Sequence, residues 1–79
     1  MIVLHKKLSF TSDLFITSDY YVSVRAYEIL TLHGWMVEVQ SPSGMKTIAK
    51  NAFDALEQMR TEIRMARAKN SIDSQEKRA

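Results

Sequence analysis

The sequence has no cysteine, one proline and two glycines among its 79 residues. Without cysteine the chain can form neither a disulfide framework nor a thiolate metal site, and it offers no thiol nucleophile. So few chain breakers, in a composition that is 46% hydrophobic and 25% charged, are typical of a folded domain and exclude a disordered chain. No apolar run approaches the ~18 residues that span a membrane. We therefore expect a soluble globular protein.

The length of the chain predicts one domain. In residues 70–79 (NSIDSQEKRA) Ile72 is the only apolar side chain larger than alanine, so we expect a single folded domain over 1–69 and a flexible polar tail over 70–79. A core of this size supplies about 3–5 kcal/mol, so a homodimer would be an ordinary way to gain stability. Two lysines interrupt the apolar start, unlike in a signal peptide, and we expect a cytoplasmic location.

Alternating apolar and polar residues predict strands in the first half of the chain. Residues 2–10 alternate in this way, residues 11–13 (Thr-Ser-Asp) have turn chemistry, and residues 18–19 (Ser-Asp) predict a second turn or a bulge. Residues 20–32 also alternate and favour a strand. They can alternatively form a helix capped by Asp19, which would give the element order ββαββα.

The turns between the predicted strands suggest how the strands pair. A two-residue hairpin turn at 33–34 (His-Gly) would place Leu32 opposite Trp35 and Leu30 opposite Val37. The segment 41–44 (Ser-Pro-Ser-Gly) fits a type I turn, and pairing across it would place Val37 opposite Ile48. In this register the side chains of Trp35, Val37 and Val39 point toward the core.

The second half of the chain predicts a long helix. Asn51 suits the N-cap, and Asp54 three residues later gives a start like a capping box. A narrow apolar seam follows at helical spacing, broadened at its start by Phe53: Ala52, Leu56, Met59, Ile63 and Ala66. The sequence thus predicts an α+β fold, in which a small antiparallel sheet of four to five strands carries one long C-terminal α-helix on one face.

A row of arginines on this helix is the main candidate binding site. Arg60, Arg64 and Arg67 lie at i, i+4 and i+7, with Lys69 just beyond, and Met65 falls outside the apolar seam. Such a strip could dock an acidic protein or a nucleic acid. It could equally be the solvated side of the helix, since basic residues near a helix C-terminus are favoured by the dipole at about 0.3–1 kcal/mol each.

Nucleic-acid binding is the alternative function. Lys46 and Lys50 would extend the basic strip, and the outward-facing Tyr21 and Tyr27 could stack on bases. Three or four phosphate contacts imply a salt slope of only about −3 to −4. The sequence contains no Gly-rich phosphate loop and no RNP signature.

Catalytic and metal-binding residues are not apparent. His5 and His33 have no partner at ligand spacing, and the acidic residues are scattered singly, with Glu28 the one acid that intrudes on an apolar strand face. We expect no cofactor, no metal and no enzymatic activity.

Residues 34–63 (GWMVEVQSPSGMKTIAKNAFDALEQMRTEI) resemble the core of HicB-like antitoxin domains. That core also places a Gly-aromatic-x-Val-Glu strand, a Pro/Gly turn, a second strand and a helix that opens around an Ala-Leu pair. The resemblance covers under half of the chain and includes no counterpart of that family's usual C-terminal DNA-binding segment. It implies a protein-binding inhibitor. We therefore expect a non-catalytic module that binds another protein, as an inhibitor or antitoxin-like regulator acting through its C-terminal helix.

Overall fold

The computed structural model describes the backbone of residues 5–78 and the side chains of residues 5–69. Four strands, β1 (His5–Thr17), β2 (Tyr20–Thr31), β3 (Gly34–Gln40) and β4 (Lys46–Ala49), precede one helix, α1 (Ala52–Arg78). The strands form an antiparallel sheet in the order β1-β2-β3-β4, and α1 packs on one of its faces. The predicted α+β fold is confirmed, and the segment predicted over 20–32 is strand rather than helix up to Thr31. The predicted tail over 70–79 lies outside the described side chains.

The first two strands form one long hairpin. Strand β1 runs without interruption through residues 11–13, so the turn predicted there is wrong. The turn-forming residues at 11–13 are tolerated in a strand because β1 lies at the edge of the sheet. Asp13 also accepts a hydrogen bond of 2.8 Å from the Ser23 hydroxyl of β2. A bulge near Ser9 shifts the pairing with β2 between Leu8, which pairs with Tyr27, and Phe10, which pairs with Ala26. Leu8 and Phe10 therefore point to opposite faces of the sheet, although they are two residues apart. The turn predicted at 18–19 is present.

The β2–β3 turn consists of Leu32 and His33, one residue earlier than predicted. Gly34 already pairs with Thr31 and has φ 98°, while no other residue type has positive φ in the described chain. Negative φ at both turn residues followed by a glycine matches a type I turn with a glycine bulge. The Thr31 hydroxyl accepts from the His33 amide at 3.0 Å and donates to the Gly34 carbonyl at 3.0 Å, which reinforces this turn.

The predicted strand registers are wrong by one or two residues. Leu30, rather than Leu32, lies opposite Trp35, and Val37 pairs with Glu28 on one side and Ala49 on the other. The error in the β2–β3 register follows from the misplaced turn. When both turn residues move by one position, the residue opposite any given position changes by two. The error of one residue in the β3–β4 register follows from the connection over 41–45, which is longer than the predicted four-residue turn. The Ser41 amide donates to the Met45 carbonyl at 2.9 Å and closes this loop.

Helix α1 begins as its sequence predicts. The Asn51 side chain accepts from the Asp54 amide at 2.9 Å and donates to the Asp54 carboxylate at 3.2 Å. The helix starts beside β4, where the Thr47 hydroxyl donates to the Ala55 carbonyl at 2.8 Å, and crosses toward the β1–β2 turn. Twenty-seven residues make a helix about 40 Å long. Ile63 is its last buried side chain within residues 52–69, and residues 64–69 are exposed beyond it.

The core lies between α1 and the face of the sheet that it covers. It consists of small and branched side chains together with one fully buried methionine: Leu14, Ile16, Val24, Ala26, Val39, Ala49, Ala55, Met59 and Ile63. Phe53, predicted to broaden the helical seam, is 72% exposed. The opposite face of the sheet, which we call the open face, carries no helix in the described chain.

Candidate protein-docking surfaces

The three arginines of the predicted strip, Arg60, Arg64 and Arg67, are each engaged within the molecule. The guanidinium of Arg64 donates two hydrogen bonds to the carbonyl of Ile16 at the end of β1, at 3.1 Å from Nε and 2.9 Å from Nη2. Arg67 stacks over the ring of Tyr20, with its Cζ atom 3.9 Å from the ring centroid. Arg60 pairs with Glu57 one turn earlier, at 3.6 Å. Arg64 and Arg67 therefore fasten the helix to the β1–β2 hairpin, whereas Arg60 is paired within the helix.

Asp19, in the β1–β2 turn, is an acid that lies near the Arg67 end of this row. Its carboxylate accepts a hydrogen bond of 2.7 Å from the Thr17 hydroxyl, and this bond, a backbone bond and the charge of Arg67 hold the pKa of Asp19 below its usual value. The remaining predicted partner residues, Met65 and Lys69, are exposed on the helix surface. They make no described contact with the sheet.

The residues predicted for nucleic-acid contact do not form one surface. Tyr21, Tyr27 and Lys46 lie on the open face, whereas Lys50 lies beside Trp35 near the start of α1. Tyr21 and Tyr27 are six residues apart on β2, which separates them by about 20 Å. Tyr21 packs against Phe15 with ring centroids 5.6 Å apart, and Lys6 Nζ lies 4.5 Å from the centroid of Tyr27. These contacts are cross-strand pairs of the kind that stabilise sheets.

A partly buried ion pair on the open face was not foreseen from the sequence. Glu38 of β3 is only 6% exposed, and its Oε1 atom accepts from Lys6 Nζ of β1 at 2.5 Å and from the amide of Gln40. Burial alone would raise the pKa of Glu38, but the hydrogen bonds from Lys6 and Gln40 and the charges of Lys6 and Lys46 outweigh it, so the pKa is lowered. Glu28, the acid singled out in the sequence, is exposed.

Lys6 interrupts the alternating pattern of β1, and this was the available signal for the pair. The partner of Lys6 could not be predicted from the sequence, because Lys6 and Glu38 belong to strands that are not neighbours and are brought together across β2.

Large apolar side chains are exposed at the end of the molecule where β2 turns into β3 and β4 leads into α1. Leu32, Trp35 and Phe53 are 67%, 57% and 72% exposed. We call these three residues the apolar end. Trp35 was predicted to be buried. It lies on the face that α1 covers, but α1 runs from β4 toward the opposite end of the hairpin and leaves Trp35 more than half exposed. The ring of His5 packs edge-on against it, with ring centroids 5.8 Å apart.

Glu28, Trp35, Met36, Val37 and Lys50 line a shallow cavity of about 410 Å³ beside the apolar end.

The chain matches no protein-family model, no curated protein and no solved structure at a significant level. Within residues 5–69 there is no cluster of three or more histidine and acidic side chains that could hold a metal ion. Over the same described part of the chain, α1 lacks the continuous apolar stretch that a membrane crossing needs.

Proposed function

We propose that this chain is a cytoplasmic, non-catalytic module that binds another protein, as an inhibitor or antitoxin-like regulator. The apolar end carries this proposal. Three large hydrophobic side chains are each more than half exposed there, and a soluble domain seldom leaves such a group uncovered without a partner. Tryptophan is moreover the residue type that most often dominates binding energy at protein interfaces.

The partner that fits the apolar end is a protein with a complementary apolar patch. The charges beside Trp35 are of both signs, because Glu28 and Lys50 line the same cavity. A surface of mixed charge around an apolar centre is the usual anatomy of a protein interface, with its polar rim. It offers little to a polyanion.

The alternative, nucleic-acid binding through the arginine row, has less support. A phosphate would have to compete with the Ile16 carbonyl for Arg64, with the Tyr20 ring for Arg67 and with Glu57 for Arg60. Met65 and Lys69 stay available on the outer side of the helix and can extend a protein interface there.

Photo-crosslinking from Trp35 tests the proposal. A benzoyl-phenylalanine placed at position 35 in the native cell should capture one protein, whereas the same group at Gln58, exposed on α1, should not. The captured protein, purified and treated with nuclease, should bind the whole chain in a fixed ratio, and Trp35→Ala should weaken binding at least tenfold. Capture of a second copy of this chain would identify the predicted homodimer.

Two results would contradict the proposal. Crosslinking from position 35 that is no more specific than crosslinking from Gln58 would remove the apolar end as a docking surface. A complex that disappears on nuclease treatment, with an affinity that falls steeply as salt increases, would favour the nucleic-acid alternative.

A further inference from the structure

Strand β2 has an edge that no other strand covers. It pairs with β1 from Tyr20 onward, but its pairing with β3 begins only at Arg25, opposite Gln40. The stretch Tyr20–Val24 therefore has no strand on its β3 side. In the described chain no hydrogen bond joins its backbone to the 41–45 loop or to α1. We call this stretch the open edge. It spans about 16 Å, enough to pair with four or five residues of an added strand.

Two cavities flank the open edge, one on each face of the sheet. The cavity on the helix side, of about 300 Å³, is largely apolar and is lined by Tyr20, Val22, Met45, Ile63, Ala66 and Arg67 together with the 41–43 turn. The cavity on the open face, of about 350 Å³, has hydroxyl, amide and guanidinium side chains among apolar surface, and we call it the polar cavity for those groups; it is lined by Thr11, Ser23, Val24, Arg25, Gln40 and the 41–42 segment. Both cavities share Ser41 and Pro42, so the loop closes one end of the gap.

This arrangement suits the addition of an extended peptide. Successive side chains of a strand point to opposite faces. A strand laid along the open edge would therefore send one side chain into the apolar cavity and the next into the polar one. Peptides that add to a sheet edge gain affinity from backbone hydrogen bonds and specificity from pockets for alternate side chains.

The charges around the open edge indicate the chemistry of such a peptide. Among residues 5–69 no acidic side chain lines either cavity, whereas Arg25 lines the polar one and Arg67 the apolar one. The side chain of Arg25 has no hydrogen-bond or ion-pair partner within residues 5–69. The two nearby acids are already engaged, Asp13 by Ser23 and Asp19 by Thr17. A carboxylate in the polar cavity could accept charge-assisted hydrogen bonds from the guanidinium of Arg25.

A second copy of the chain fits the open edge less well than a single segment. Its own open edge would arrive with β1 attached, since β1 pairs along all of β2 from Tyr20. That extra strand would need the space beside the gap, which the loop containing Pro42 and Ser43 already occupies.

We propose that the open edge of β2 binds an extended segment of a partner protein in which apolar and acidic side chains alternate, with an acidic side chain facing Arg25 and an apolar one entering between Val22 and Ile63. This deepens the proposed function, on which it rests, by naming a contact separate from the apolar end. The edge strand β1 is a poorer acceptor, because Lys6, Lys7 and the bulge near Ser9 interrupt it.

Two synthetic peptides test the proposal on the whole chain. Both have eight residues with blocked termini, and one alternates valine with glutamate while the other alternates valine with lysine. Titration into ¹⁵N-labelled protein should show the glutamate peptide shifting the amide resonances of 20–25 and 41–45, and slowing hydrogen exchange at 20–24. The lysine peptide should bind at least tenfold more weakly.

Matched substitutions separate the open edge from a general charge effect. Arg25→Glu should weaken the glutamate peptide at least tenfold and strengthen the lysine peptide, and Ala66→Trp should block both by filling the apolar cavity. Lys46→Glu, on the same face but outside both cavities, should change neither by more than about twofold. Circular dichroism of each variant checks that it is folded.

The proposal is overturned if neither peptide perturbs 20–24, if both bind equally, or if the shifts fall along β1. Because crosslinking from Trp35 does not involve the open edge, a negative titration leaves the proposed function standing. Conversely, a positive titration with no partner captured from Trp35 would retain the open edge and remove the apolar end.

Discussion

The partly buried pair between Lys6 and Glu38 allows a prediction with a defined pH dependence. Replacing Glu38 by glutamine keeps the size of the side chain and its place beside Gln40 but removes the charge. A charge-assisted hydrogen bond is roughly twice as strong as a neutral one and contributes about 1.5–3 kcal/mol. Because the Lys6 side chain is 36% exposed, solvent screens the pair. We expect Glu38→Gln to lower the free energy of unfolding at pH 7 by about 1 kcal/mol, which is below that range because of this screening and because glutamine can still accept a neutral hydrogen bond.

The effect should disappear in acid. The pKa of Glu38 is lower in the folded protein than its ordinary value of 4.5, so its carboxylate stabilises the fold at pH values above the unfolded pKa. That stabilisation is lost as the pH falls through the folded pKa, below which the carboxyl is protonated in both states. Wild type and Glu38→Gln should therefore converge in stability as the pH falls through the folded pKa of Glu38, below 4.5.

Urea denaturation followed by circular dichroism, from pH 7 down through the acid range, measures both quantities. The difference at pH 7 should correspond to a melting temperature lower by about 4–8 °C for a domain of this size. Glu28→Gln is the control, because Glu28 is an exposed acid on a neighbouring strand and should cost less than about 0.5 kcal/mol. A Glu38→Gln deficit that does not shrink anywhere as the pH is lowered from 7 through the acid range would refute the reasoning, since the loss would then not come from the charge.

Three further changes have expected outcomes that thermal unfolding can check. Met59→Ala should lower stability by about 2–5 kcal/mol, because Met59 is fully buried where α1 meets the sheet; a smaller loss would show that the core collapses into the space. Arg64→Met should cost about 1.5 kcal/mol by removing both hydrogen bonds to the Ile16 carbonyl, whereas Lys69→Met should be neutral. Gly34→Ala should cost about 1–2 kcal/mol because the backbone has φ 98°, although no atom lies within 4 Å of the added methyl group.

Elements with a local signal were predicted from the sequence. Helix α1 starts where Asn51 and Asp54 form a capping pair, and its buried residues Met59 and Ile63 lie in the apolar seam. Strand β2 was correctly distinguished from a helix by its alternation and its β-branched residues. These features depend on hydrogen bonds and spacings within a few residues, so the order of amino acids determines them directly.

Register and strand ends were decided by contacts between distant residues. The β2–β3 turn moved by one residue because Thr31 can hydrogen bond on both sides of it and Gly34 can adopt positive φ as the bulge residue. The turn chemistry of residues 11–13 was overruled because β1 gains continuous pairing with β2 along its length. A local preference of a fraction of a kcal/mol yields to many hydrogen bonds formed together.

The candidate sites depended still more on tertiary structure. Arg64 and Arg67 were correctly placed on one side of α1, but only the crossing of the helix over the hairpin brought them to Ile16 and Tyr20. Trp35 has the alternating pattern of a core residue and is exposed because the helix leaves that end of the sheet uncovered. The sequence by itself determined which segments are strand and helix and which faces are apolar. The lengths and crossing of those elements decided which apolar faces are covered, which charges are paired and which strand edge stays open, because burial depends on neighbours that are far apart in the chain.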